Sequence, residues 1–247
     1  MTTPSRPSPP SITGWRRSLV IGLQKLVYWL ACYWYFLFMA AASIFLLLGF
    51  LAPALLAEGH EAAGAAVYRF LAPHNHQLPQ RSYFLFGEMG FIRSYSLEQL
   101  IASGADPQRL QAFTGNAQIG YKTALNHRMV AIFVGMVIGG LVWGLRRGRP
   151  SLSLFAFLLF TLPLLLDSFS HMASESGSGF RDSNSWLVAL TGGMGTAVFY
   201  TGTTIGTFNW WLRTLTGLLF GLGLVWFAFP RFATYFAGVK RQLERRR

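Results

Sequence analysis

Cysteine is nearly absent. Cys32 is the single one in 247 residues, which excludes an internal disulfide framework and a cysteine-rich zinc site. Acid is scarce too, with 9 Asp+Glu against 21 Lys+Arg and a formal net charge of +12. Charged residues make up only 12% of the chain, while 52% are hydrophobic and 16% aromatic. A disordered tail or an acidic scaffold needs the reverse. A basic balance can serve nucleic acid, but basic, apolar and aromatic-rich together describe a membrane protein.

What is present in quantity is long uncharged sequence. No charged side chain occurs from Leu26 to Ala57, a run longer than the roughly 20 apolar residues that cross a bilayer. Shorter apolar runs follow at Met129–Leu145, Leu152–Leu166 and Leu212–Phe229. The expected spans are therefore 26–57, 129–145, 152–166 and 212–229. Pro163 is tolerable inside a bundle, where neighbours satisfy the freed carbonyl. Thirteen of the 21 basic residues and one of the 9 acids, Glu244, fall in 1–25, 146–151 and 230–247, so the two signs balance elsewhere. The positive-inside rule then places both termini in the cytoplasm of a bacterial cell, with a multi-pass topology in its inner (plasma) membrane. The tail KRQLERRR is read as topology and contact with anionic headgroups rather than as a nucleic-acid site.

The expected fold class is an all-α integral membrane protein, with about four transmembrane helices and a folded external helical cap. Residues 1–25 form a basic cytoplasmic tail and interfacial helix, 26–232 a single membrane domain, and 233–247 a basic cytoplasmic tail. The external pieces are 58–128 and 167–211. Within the first, Ser96 and Gln99 make a capping box for a short helix that stops at Gly104. Asp106 and Pro107 predict the start of a second one. Ser183–Leu212 carries no charge but is rich in Gly and Thr. A fifth span there would place the basic tail outside, so a surface or re-entrant segment is expected. The motif Trp186-Leu187-x-x-Leu190-Thr191-Gly192 recurs as Trp211-Leu212-x-x-Leu215-Thr216-Gly217, which reads as two helix starts anchored by interfacial Trp.

Side chains with chemistry cluster in the external pieces. His60 follows the first span, then come Pro73-His74-Asn75-His76-Gln77-Leu78-Pro79-Gln80-Arg81-Ser82, Asn126-His127-Arg128 and Asp167-Ser168-Phe169-Ser170-His171, with Arg181-Asp182 and Arg213 beyond. His74, His76, His127 and His171, with Asp167, have the ligand types for Zn, Fe or Cu, though no HExxH-like spacing supports a metal. His76, Arg81, Arg128 and Arg213 with Asp167 could instead form an anion or acid–base site. A haem between two histidines is disfavoured because no histidine lies inside a span. The plainest alternative is an interfacial polar network in which Asp167 pairs with Arg128 or Arg213. Asp167 and His171, four apart, share a face if the third span continues as a helix. The cluster Tyr28, Trp29, Tyr33, Trp34, Tyr35 and Phe36 is explained by an aromatic belt and helix packing, and Cys32 by inert burial.

Two of these blocks resemble a family of prokaryotic membrane proteins, domain of unknown function 2085. Its first mark is C-H-Q-x-P-x-R-S-[FY]-x-x-x-G, which reads here Asn75-His76-Gln77-Leu78-Pro79-Gln80-Arg81-Ser82-Tyr83-Phe84-Leu85-Phe86-Gly87. Its second, C-Q-R-D-x-A-I-Y, reads Asn126-His127-Arg128-Met129-Val130-Ala131-Ile132-Phe133. Asp167 and Arg213-Thr214-Leu215-Thr216-Gly217-Leu218-Leu219-Phe220-Gly221 are similar to two further family features. The similarity runs over roughly residues 65–232. Both family cysteines are replaced together, by Asn75 and Asn126; His127 stands for Gln and Met129 for Asp. In the family such a cysteine pair would suit a disulfide or a shared metal. If that pair is structural, the two Asn side chains can replace it by hydrogen bonding across the same contact; if it binds metal, this chain has lost or changed that function. The resemblance implies a membrane location and no particular activity.

The expected function is a non-catalytic accessory or assembly subunit of a larger bacterial membrane complex, respiratory or photosynthetic, because no complete catalytic constellation is present. Its partners would be membrane lipid and other membrane-protein subunits. The alternative is a small-molecule, metal or cofactor site at the outer face, built from Asn75, His76, Gln77, Arg81, Asn126, His127, Arg128, Asp167 and Arg213. No cofactor is named by the sequence. A transporter is disfavoured, since no ionisable residue sits mid-span and no matched pair of broken helices occurs.

Overall fold

The computed structural model describes residues 13–88, 90–146, 148 and 150–245. Among them, four helices are long and apolar enough to cross a membrane. They are α1 (Trp15–Ala57), α4 (His127–Leu145), α5 (Leu154–Ala173) and α9 (Phe208–Glu244). Shorter elements lie between: α2 (Glu61–Leu71), β1 (Ser82–Leu85), α3 (Leu97–Ala102), β2 (Gly115–Asn116), β3 (Gly120–Asn126), α6 (Phe180–Ser183), α7 (Ser185–Thr191) and α8 (Ala197–Tyr200). The protein is thus the helical membrane protein that its uncharged runs predict.

Helix ends differ from the hydropathy boundaries. Helix α1 begins at Trp15, so Arg16, Arg17 and Lys25 belong to it. Helix α5 continues past Asp167 to take in His171, and α9 carries the basic tail through Pro230 to Glu244. Apolarity ends where lipid contact would end, whereas backbone hydrogen bonding continues as long as the chain has helix formers. Residues 1–12, Arg147, Arg149, Arg246 and Arg247, which belong to the expected basic pieces, lie outside the described residues.

The chain divides into two units. One comprises the residues up to Phe38 with those from Arg231 onward. Its packing is aromatic: Trp34 stacks on Phe236 at 5.7 Å, and Phe38 on Phe232 at 5.2 Å. Lys240 sits 5.9 Å from the Tyr28 ring centroid, and the Tyr28 hydroxyl donates to Glu244 at 3.0 Å. Of the cluster noted in the sequence, Trp34 is buried while Trp29, Tyr33 and Phe36 stay exposed.

The other unit is Met39–Pro230. Here α4 and α9 meet backbone to backbone through small residues, the usual solution where lipid removes the hydrophobic drive to pack. A Cβ on Gly221 would fall 2.2 Å from the Ile132 carbonyl oxygen, and one on Gly135 would fall 2.5 Å from that of Leu218. Gly221→Ala must therefore push the helices apart. We expect a loss of about 3 kcal/mol, read as a lower denaturation midpoint in mild detergent; an unchanged midpoint would mean that the helices are not in this contact. Helix α5 packs on α9 through Phe157 and Phe227, stacked at 4.5 Å, and presents Leu158, Leu162 and Leu165 outward.

The cap is not purely helical. It contains a three-stranded antiparallel sheet ordered β1-β3-β2, with Ser82 opposite Asn126 and Phe84 opposite Lys122. Strand β3 is buried on both faces from Lys122 to Leu125. It therefore lacks the polar–apolar alternation by which strands are recognised in a sequence. Gly120, at φ +86°, opens the strand where a Cβ would meet the Leu85 carbonyl at 2.4 Å. The α3 capping box forms, Ser96 Oγ accepting from Gln99 N at 3.3 Å and Gln99 Oε1 from Ser96 N at 2.9 Å. After Asp106 the chain makes only turns and a 3-10 turn over Leu110–Ala112, not the expected second helix.

Ser183–Leu212 holds α7, α8 and the start of α9, and neither α7 nor α8 is long enough to cross a membrane. The segment is tied to the protein by side chains. Asn184 donates to the Tyr200 carbonyl at 2.5 Å, Asn209 to the Gly202 carbonyl at 2.8 Å and Thr203 to the Gln80 carbonyl at 2.7 Å. Of the repeated Trp-Leu motif, the first copy forms α7 and ends at left-handed Gly192, whereas the second lies within α9.

Candidate functional site: an arginine-lined cavity

Strand β3 runs directly into α4, and Asn126 ends one and caps the other, its Oδ1 accepting from Met129 N at 2.9 Å. That junction sets Arg128 in the first turn of α4, facing the last turns of α5. Asp167 there takes two guanidiniums: Arg128 on Oδ2 at 2.5 Å and Arg181 of α6 on Oδ1 at 2.8 Å. Arg128 also donates to Ser168 Oγ at 2.7 Å. Arg181 reaches Ser170 Oγ at 2.6 Å and Asn209 Oδ1 at 3.0 Å. The sequence expectation of an Asp167 pair with Arg128 or Arg213 is met by Arg128, and the second partner is Arg181.

Arg213 is left over. It is 4% exposed, yet no described residue gives it a hydrogen bond or an ion pair. It lines a cavity of about 240 Å³ together with His76, Leu78, Arg81, Asn126, Arg128, Ser168, His171, Met172 and Glu175. Arg81 pairs with Glu175. Burial, helped by the nearby Arg128 charge, pushes Arg81 down to about 10. His171, also 4% exposed, has neither ring nitrogen partnered among the described residues. An imidazole carries at least one N–H in any protonation state, so a donor inside the site lacks an acceptor. Three guanidiniums against one carboxylate line this cavity.

The remaining sequence candidates divide. His76 and Asn126 reach the cavity. Asn75 is buried beneath it and joins Asn126, whose Nδ2 donates to Asn75 Oδ1 at 2.5 Å; Asn75 in turn donates to the Ala124 carbonyl at 2.9 Å. The two positions that stand for the family cysteines are therefore in contact. Gln77 turns away at φ +49° and donates to the Tyr68 carbonyl at 2.8 Å, a structural role. His127 is fully buried with its ring 4.3 Å from that of Tyr83, and it does not line the cavity. The side chain of His74 lies outside the described residues. Among the described residues no three of His, Cys, Asp and Glu come together to hold a metal.

Sequence reasoning missed Glu175, which sits in a Ser/Gly-rich turn without periodicity, and Lys122. Lys122 is 0% exposed, donating to the Gln77 and Gln111 carbonyls at 2.8 and 2.7 Å, with the Tyr68 ring 5.9 Å away. Burial pushes its amine down to about 7. In the unfolded chain a lysine titrates near 10.4. The unfolded state thus holds the extra proton between these values, and stability rises as pH climbs from 7 towards 10. The gain is at most roughly 5 kcal/mol. Thermal midpoints at pH 7 and pH 9 should show it, and Lys122→Met should flatten the slope; a slope unaltered in that variant assigns it to another group.

Comparison with known proteins comes out on one side only. No curated protein and no solved structure matches the chain. Residues 117–201, which carry Asn126, Arg128, Asp167, His171, Glu175 and Arg181 of this site, match the model of the family described as Predicted membrane protein (DUF2085), and it is this family that the chain resembles.

Proposed function

We propose that this protein binds a small anion at the capped end of its helix bundle, on the outer face of a bacterial plasma membrane. The observation that carries the reading is Arg213, a buried guanidinium to which no described residue gives a hydrogen bond or an ion pair, in a cavity already lined by Arg81 and Arg128. A buried charge left unpaired costs several kcal/mol, and clustering like charges adds to that cost. A bound anion removes both. Ser168 donates its proton to the Leu164 carbonyl at 2.7 Å and accepts from Arg128, so it is not set up as a nucleophile. Binding rather than turnover is the chemistry this supports. The orientation rests on the basic residues, thirteen of which fall in 1–25, 146–151 and 230–247 beside a single acid.

Thermal unfolding of the purified protein in a neutral detergent tests this reading. Added anion should raise the midpoint, by about 2.7 kcal/mol of stabilisation at a hundredfold excess over Kd. Arg213→Gln should abolish the response. If no anion shifts the wild type more than the variant, the cavity is not an anion site.

A second reading, an accessory or assembly subunit of a respiratory or photosynthetic complex, draws support from apolar side chains exposed off the long helices. Phe91 is 94% exposed in the loop after β1, and Leu190 and Met194 stand out around the end of α7. Stoichiometric co-purifying subunits from native membranes would bear it out, and a monodisperse monomer would overturn it.

A further inference from the structure

The fixed charges of the cavity define the class of anion, taking the anion-site reading above as given. Arg81, Arg128 and Arg213 line the cavity and Arg181 backs it, while the acids of the cluster are Asp167, Glu175 and Asp182, whose charge acts on Arg81. Asp167 is already shared by Arg128 and Arg181, so its charge is committed. Once the ligand has displaced Glu175, four guanidiniums face the carboxylates of Asp167 and Asp182, an excess of two positive charges, which a dianion balances and chloride or a monocarboxylate does not. Guanidinium forks also match the oxygens of a tetrahedral phosphate better than a point ion. Among the described residues, no partner meets the buried Nε groups of Arg81, Arg128 and Arg213 or either ring nitrogen of His171. One ligand with several oxygens would satisfy several donors at once.

Glu175 occupies part of this place. It follows α5 in the turn Ser174–Ser178, where Gly177 at φ 156° and ψ −23° breaks the helix, and its side chain is 49% exposed. A carboxylate at the mouth of an arginine cavity, on a turn that reaches solvent, is an internal competitor for the ligand. Its departure to water would free Arg81 and cost little, because its other half is already hydrated.

We propose that the cavity takes a phosphate-class dianion, either free phosphate or the phosphomonoester headgroup of a lipid, on Arg81, Arg128 and Arg213, in exchange for the Glu175 carboxylate.

The experiment is a thermal-shift and calorimetric titration of the full chain in neutral detergent at constant ionic strength, with inorganic phosphate, acetate and chloride. A parallel series compares nanodiscs of phosphatidylcholine with and without phosphatidic acid. Phosphate or phosphatidic acid should bind at least tenfold more tightly than acetate or chloride, and whichever of the two acts identifies the source. Glu175→Gln should tighten phosphate binding about tenfold, and Glu175→Ala should do the same. Arg213→Gln should raise the ligand-free midpoint, since an unpaired buried charge is removed, and abolish the phosphate response. Equal binding of phosphate, acetate and chloride would overturn the phosphate assignment while leaving an anion site. Unchanged affinity in both Glu175 variants would overturn the exchange. No response to any anion would overturn the anion site itself.

Discussion

Asp167→Asn is expected to cost about 3–5 kcal/mol, the largest effect of any single substitution in the cap, because it strips one carboxylate from two guanidiniums at once. Asp167 is buried and bonded to Arg128 at 2.5 Å and Arg181 at 2.8 Å. Asparagine keeps the shape and one acceptor oxygen but removes the charge. Four arginines then face one another with Glu175 and Asp182 as the remaining acids of the cluster. Chemical or thermal denaturation in detergent would measure the loss. Asp167→Glu should recover part of it, since the charge returns with a different reach. A loss under about 1 kcal/mol would mean that water already screens these pairs, as it does at exposed salt bridges. The same variant has a second readout: with one more uncompensated positive charge in the cluster, its stability should depend on added phosphate more steeply than that of the wild type.

The double variant Asn75→Cys/Asn126→Cys, in a Cys32→Ser background, is expected to form an intramolecular disulfide. The two amides touch across 51 residues of chain. Closing a loop of that length stabilises by about 4 kcal/mol in the chain-entropy view. Faster migration on a non-reducing gel and a midpoint that falls on reduction would demonstrate it. The experiment also reports on orientation, because disulfides persist on the oxidising side of a membrane and not in the cytoplasm. Spontaneous oxidation in bacterial cells supports the outward-facing cap proposed above. A pair that stays reduced in cells but closes with added oxidant would place the cap inside. If it closes under neither condition, Asn75 and Asn126 are not neighbours in the way described.

These two tests separate what the chain states locally from what folding alone arranges. The long helices were legible because apolar run length is a property of contiguous residues, and a run such as Leu26–Ala57 permits little else. The Ser96 box was legible for the same reason, since a cap bonds to residues two or three positions away. Asp167 and His171 share a face because they are four apart on one helix. The contact between Asn75 and Asn126 was open in the sequence, since the resemblance allowed it only for a structural cysteine pair, and the structure brings the two amides together.

The sheet was not legible. Strand β3 is buried on both sides, so Lys122 and Thr123 sit where a pattern of alternation would have required something else. Nor was the distribution of charge. The sequence offers Arg128 and Arg213 as partners for Asp167, and only the packing of α4, α6 and α9 around the end of α5 gives the carboxylate to Arg128 and Arg181. What the sequence determined by itself is that the protein is helical, membrane-borne and carries its polar residues around the ends of its long helices. What the tertiary structure decided is which guanidinium remains unpaired and where Glu175 stands. Pairing is set by distances of a few ångströms between side chains far apart in the chain, and no local pattern encodes such distances.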